Sequence, residues 1–129
     1  MDKSLRHYNR IVWFEIPVKD LERACRFYEQ LFEETLNREA MGPDTTLAVF
    51  PYDGAGISGC LFAAPSAAPH SDGVRVYLNA DKAGLDALLA RAEAAGGKVT
   101  LSPVQLPGDM GRFAHIRDSE GNIVGLHEN

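Results

Sequence analysis

Phe14-Glu15-Ile16-Pro17-Val18-Lys19-Asp20-Leu21 joins the end of a strand to the start of a helix and so sets the architecture of the chain. It follows Ile11-Val12-Trp13, so residues 10–18 form a β-branched and aromatic run that reads as a strand ended by Pro17. Asp20 is a good helix N-cap, its short carboxylate able to accept an orphan N–H of the first turn. Beyond it Leu21, Ala24, Cys25, Tyr28, Leu31 and Phe32 recur at helical spacing and predict an amphipathic helix over 20–33. Strands are expected near 34–39, over 46–51 and over 57–63, the last two joined by a turn at Tyr52-Asp53-Gly54-Ala55-Gly56. The first half therefore reads βαβββ.

The order then repeats. After a Pro-, Ala- and Ser-rich linker over 65–73 come a strand at 74–80, a helix at 84–95 that Gly96-Gly97 ends, and a short strand at 98–101. A loop over 102–111 leads to strands at 112–117 and 123–128, separated by the turn Asp118-Ser119-Glu120-Gly121-Asn122. Phe14–Asp20 aligns faintly with Val76–Lys82, and Ile57-Ser58-Gly59 with Ile123-Val124-Gly125. Internal repetition of this kind predicts an α+β fold of two βαβββ modules, about 10–64 and 73–128, in one domain spanning 1–129. The pattern alone equally fits an ordinary α+β domain whose halves resemble each other by chance.

Composition narrows the class. The 129 residues are 45% apolar, enough for a core. A unit of this size is marginal alone, so two should lean on each other. Thirteen basic residues face 18 acidic ones, and no basic block offers a row of phosphate contacts, which argues against nucleic acid. No run approaches the ~20 apolar residues that span a bilayer. The polar start, Met1 to His7, lacks a signal-peptide core, so a cytoplasmic location is the expectation. Cys25 and Cys60 would there remain thiols, and neither sits in a CxxC spacing.

Three segments carry a family resemblance. Phe14 to Ala24 running on to Phe27-Tyr28, Ala92-Glu93-Ala94-Ala95-Gly96-Gly97-Lys98-Val99, and Arg112-Phe113-Ala114 through Asp118-Ser119-Glu120-Gly121-Asn122 to His127 resemble the vicinal oxygen chelate superfamily. That superfamily includes glyoxalase I, bleomycin-binding proteins and extradiol dioxygenases. The resemblance covers residues 10–128 and implies paired βαβββ units whose sheets curl round a cavity, commonly in a homodimer. Its metal-dependent members hold a divalent ion with four side chains, from the first and last strand of each module. The matching positions here read as Trp13, Gly59, Arg75 and Gly125, none an ordinary metal ligand: indole offers only a donor, glycine nothing, and arginine stays cationic. The expectation is no metal at that position and no cofactor. Glu15, His115, His127 and Glu128 are the remaining ligand-type groups for any unusual site.

Counting in twos from those positions lines the cavity with Trp13, Glu15, Arg75, Tyr77, Asn79 and His127, and turns Glu128 away. The resemblance adds His115 on the penultimate strand, and Tyr52 and Asp53 lie on a turn that can close over the mouth. Trp13 suits stacking on a planar ligand, and Arg75 suits a bidentate grip on a carboxylate or phosphate. Arg75 equally suits an internal ion pair with Glu15, and Trp13 a core or interface contact. His115, with Glu15 as partner, is the candidate acid–base residue, since imidazole titrates near neutrality. Metal-independent binding of a small organic molecule is thus the leading expectation. An enzyme of lyase, isomerase or dioxygenase type, with a non-standard metal or acid–base site, is the alternative, and a regulatory module has no motif behind it.

Overall fold

The computed structural model describes residues 11–129 apart from positions 12, 55 and 72. The elements run β1 (Phe14–Pro17), α1 (Leu21–Phe32), β2 (Asn37–Ala40), β3 (Thr46–Val49), β4 (Gly59–Ala63), β5 (Tyr77–Asn79), α2 (Leu85–Ala94), β6 (Lys98–Gln105), β7 (Arg112–Arg117) and β8 (Ile123–Glu128). They form two four-stranded mixed sheets, ordered β1-β4-β3-β2 and β5-β8-β7-β6, each with its helix. In each sheet the first strand runs parallel to the last and the other pairs are antiparallel. This is the βαβββ repeat expected from the sequence. The expected start of β1 at residues 10 and 12 falls outside the described residues, as do positions 55 and 72 of the turn and linker.

Local chemistry sets the helix ends. The Asp20 side chain accepts the Arg23 N–H at 3.0 Å at the start of α1. Glu33 closes that helix in the left-handed conformation, φ 55°. Gly84 precedes α2 with no side-chain cap, and Glu128 from β8 takes the Leu85 N–H instead, at 2.7 Å. One strand differs from expectation: β6 continues through Ser102-Pro103 to Gln105. It is an edge strand, and its pairing with β7 shifts register on both sides of Leu101. Those irregularities let Pro103 sit where no ladder N–H is required.

Alternate strand residues face the helices. Ile16, Ala48 and Leu61 from one sheet and Leu78, Ala114, Ile116 and Leu126 from the other bury against Ala24, Phe27, Tyr28, Leu31, Leu85, Leu88 and Ala92. The remaining strand residues point away from the helices, onto what we call the open face of each sheet.

The second unit's closing turn locks onto the first unit's helix. The buried Tyr28 hydroxyl donates to Asp118 Oδ2 at 2.8 Å, and Asn122 Nδ2 donates to the Pro17 carbonyl at 2.9 Å. Glu120 Oε1 accepts both the Lys19 and Asp20 N–H groups at 3.0 Å, while Arg23 Nε donates to its Oε2 at 2.7 Å. Burial alone would raise the Glu120 pKa. The Arg23 guanidinium, the Asp20 and Lys19 N–H groups and the Ser119 hydroxyl outweigh it and hold the carboxylate at about 2. A turn legible as local Asx chemistry is therefore also the clasp between the units.

Candidate functional site

The open face of the second sheet collects most of the expected residues. Register puts Tyr77 and His115 beside Gly125, and Asn79 and Phe113 beside His127. Gly125 matters because a Cβ there would strike the Tyr77 ring. With no side chain in the way the ring lies over the strand, and its hydroxyl shares a 2.8 Å hydrogen bond with His115 Nε2. Phe113 completes an aromatic group, its centroid 5.9 Å from Tyr77 and 5.5 Å from His115. Arg75 is exposed just before β5. Burial first, and then the charge of Arg75, lowers the His115 pKa, so the imidazole is neutral at pH 7.

Two expected ligand-contact residues also hold structure together. His127 Nε2–H donates to the Met110 carbonyl at 2.7 Å and ties down the loop before β7. Asn79 Oδ1 accepts the Asp81 N–H at 2.7 Å in the turn leading to α2. Glu128 does face the helices, as parity predicted, and binds Arg112 at 2.8 Å.

Trp13, Glu15 and Tyr52 lie on the other sheet. Trp13 and Tyr52 meet edge to face, centroids 6.5 Å apart and planes 71° apart, over a hollow of about 320 Å³. Leu47, Val49 and Pro51 give it an apolar surface, and Thr35, Asn37 and Glu39 a polar one. Asn37, Glu39 and Phe113 escaped the sequence reading, although period 2 along β2 and β7 would have exposed them. Glu15 stands beside Cys60, whose sulfur is 4.0 Å from Glu15 Oε2. Among the described residues Glu15 forms no ion pair with Arg75, and it is not brought to His115. Another hollow, about 780 Å³, lies elsewhere: it joins Phe14, Phe50 and Ile57 of the first unit to Leu78, Lys82 and Arg91 of the second. Of the expected site residues only Asn79 reaches it.

One expected position needs correction. Gly59 pairs with Phe14 and lies with it on the side opposite Glu15, while Cys60 pairs with Glu15 on the open face. A Cβ on Gly59 would collide with the Phe14 ring, so this glycine serves close packing rather than an emptied cavity floor. The four positions implied by the resemblance are then Trp13, Cys60, Arg75 and Gly125. Burial, followed by the Glu15 charge, pushes the Cys60 thiol up to about 11, so it is protonated at neutral pH. Of the four only the Cys60 thiol is a metal-ligand type, and a single such donor beside a guanidinium does not make a site for a divalent ion. Among the described residues no three His, Cys, Asp or Glu side chains gather where they would hold a metal.

A pair of βαβββ units with aromatic open faces defines a class of protein, and comparison with known proteins names it. Residues 10–126 match the Glyoxalase/Bleomycin resistance protein/Dioxygenase superfamily, and the chain belongs to that family. It is 30% identical over 116 residues to a Mycobacterium tuberculosis protein named "Putative glyoxylase CFP32", covering 90% of this chain and 42% of that one. The chain thus spans less than half the length of that relative. Among solved structures it resembles the glyoxylase/bleomycin resistance protein/dioxygenase domain from Frankia sp. EAN1pec (TM-score 0.70, 21% identity, 94% of this chain and 98% of that one). It also resembles TnmS3, an antibiotic binding protein from Streptomyces sp. CB03234 (TM-score 0.65, 28% identity, 93% and 95%).

Proposed function

We propose that this protein binds a small, planar, anionic organic molecule without a metal, on the open face of the second sheet. The observation that carries the reading is the Tyr77–His115–Phe113 aromatic group beside Arg75. Three rings offer a stacking surface, and Tyr77 is half exposed. The neutral imidazole does not compete for the ligand's charge, and the guanidinium, which forms no ion pair among the described residues, can take a carboxylate through two parallel hydrogen bonds. TnmS3, an antibiotic binding protein, supports binding of an organic molecule by this fold. The two units act in this reading as the one domain expected over 1–129, clasped through Glu120.

Salicylate and 1-naphthoate are the probes. Each should raise the melting temperature of the wild type, equally before and after EDTA treatment. Affinity should fall roughly tenfold or more in Arg75→Ala, the scale of losing a charge-assisted hydrogen bond. Binding that is unchanged in Arg75→Ala sinks the assignment.

One observation favours a second reading, proton transfer by His115. A neutral imidazole sharing a hydrogen bond with a phenol is equipped to move a proton at Nε2 or Nδ1. Turnover of a bound compound, abolished in His115→Gln while binding persists, would establish an enzyme of this family in place of a binding protein.

The proposal includes a homodimer and a cytoplasmic setting. Leu101 and Val104, which pair with His115 and Phe113 from the edge strand β6, extend an exposed apolar surface beside the ligand face that a second copy would cover. Cys25 and Cys60 are unpaired, buried thiols suited to a reducing compartment. Among the described residues no helix is long and apolar enough to cross a membrane.

A further inference from the structure

We propose that the Trp13–Tyr52 hollow on the first sheet is a site for a small organic ammonium ion, distinct from the anion-binding face. Two aromatic walls stand nearly at right angles around it. A ring face attracts a cation through its quadrupole, and two faces set at an angle embrace an alkylated ammonium group better than a flat partner. Glu39 is the one charged side chain among the residues lining it. Within the described residues neither Glu39 nor the nearby Glu15 has a cationic partner. Arg38, adjacent in sequence, points to the helix side and is held by Glu22 at 3.0 Å and Glu29 at 2.7 Å. The negative field reaches into the sheet: besides burial, the charges of Glu15 and Glu39 both push the Cys60 thiol up. Leu47, Val49 and Pro51 supply an apolar surface for methyl groups, and Asn37 and Thr35 suit a hydroxyl or amide on the same ligand. Asn37 Nδ2 donates to Glu39 at 3.4 Å but does not neutralise it, so an anion would meet its charge uncompensated and a neutral molecule would leave that charge without a counter-ion.

The chain has a single tryptophan, Trp13, so its fluorescence reports this site alone. Choline and tetramethylammonium chloride are titrated against sodium chloride at matched ionic strength. The neutral isostere of choline, 3,3-dimethylbutan-1-ol, is titrated in parallel. Both cations should give a saturable change that the alcohol and the salt do not. Glu39→Gln and Tyr52→Ala, surface changes whose folding is checked by circular dichroism, should each weaken choline binding about fivefold or more. An equal response to the alcohol overturns the site. So does full retention in Glu39→Gln, or no saturation below roughly 50 mM, an affinity too weak for a built pocket. The aromatic carboxylate titration uses other ligands and another variant, so either assignment can fail without the other.

Discussion

Gly125 and Tyr77 work as one unit at the residue scale. The glycine stands where the resemblance implies a metal-binding carboxylate, and its missing side chain is what lets the Tyr77 ring lie down and reach His115. Gly125→Ala should displace that ring, cost about 1–3 kcal/mol in denaturant unfolding, and shift the His115 ring resonances as the hydrogen bond is lost. Arg75→Gln should move the His115 pKa upward in an NMR titration. It should not restore the ordinary value, because burial is the larger cause and remains. Much of this face was legible in sequence: strict alternation along β5 and β8 set Tyr77, Asn79 and His127 on one side, and the family resemblance added His115. The slip from Cys60 to Gly59 has a plain cause. The matching Ile-x-Gly triplets at 57–59 and 123–125 invited an alignment in which the longer β3–β4 connection hides one residue, and one residue reverses the face. The Tyr77–His115 bond itself was not legible, since it depends on a ring reaching across β8 from β5 to β7.

Asp118–Asn122 shows, at the element scale, how a turn can do more than its sequence declares. Its Asx chemistry was readable, but its partners, Lys19, Asp20, Arg23 and Tyr28, lie about a hundred residues away and only the tertiary fold selects them. Glu120→Gln should destabilise the protein by about 2 kcal/mol, the scale of hydrogen bonds to a charged group. That figure is already moderated because Arg23 is half exposed. The pH dependence has a definite sign. The Glu120 pKa is about 2 folded and near 4.5 unfolded, so the unfolded chain binds the proton more readily between those values. The stabilisation is complete above pH 4.5 and fades as pH falls toward 2. Urea midpoints of wild type and Glu120→Gln should therefore differ at pH 6 and converge near pH 2. The extension of β6 through Pro103 was also hidden, because a Ser-Pro pair reads as a loop until an edge position and an irregular register make room for it.

At the scale of the whole molecule, two similar sheets carry opposite chemistry. Arg75 marks the open face of the second, while Glu15 and Glu39 mark that of the first. The repeat was visible as two runs of the same element order. The way the units clasp, and the division of labour between their faces, were not, because both depend on contacts between modules and on edge-strand parity. If the apolar surface of Leu101 and Val104 is covered by a second copy, light scattering should give a dimer mass, and Val104→Glu should shift it toward monomer. The central claim, an organic anion held by Arg75 in place of any metal, is tested most directly by isothermal titration of 1-naphthoate into EDTA-treated protein. The account predicts saturable binding that added zinc or manganese does not strengthen and that Arg75→Ala removes. Binding that appears only when a divalent metal is restored, or that survives Arg75→Ala intact, would contradict it.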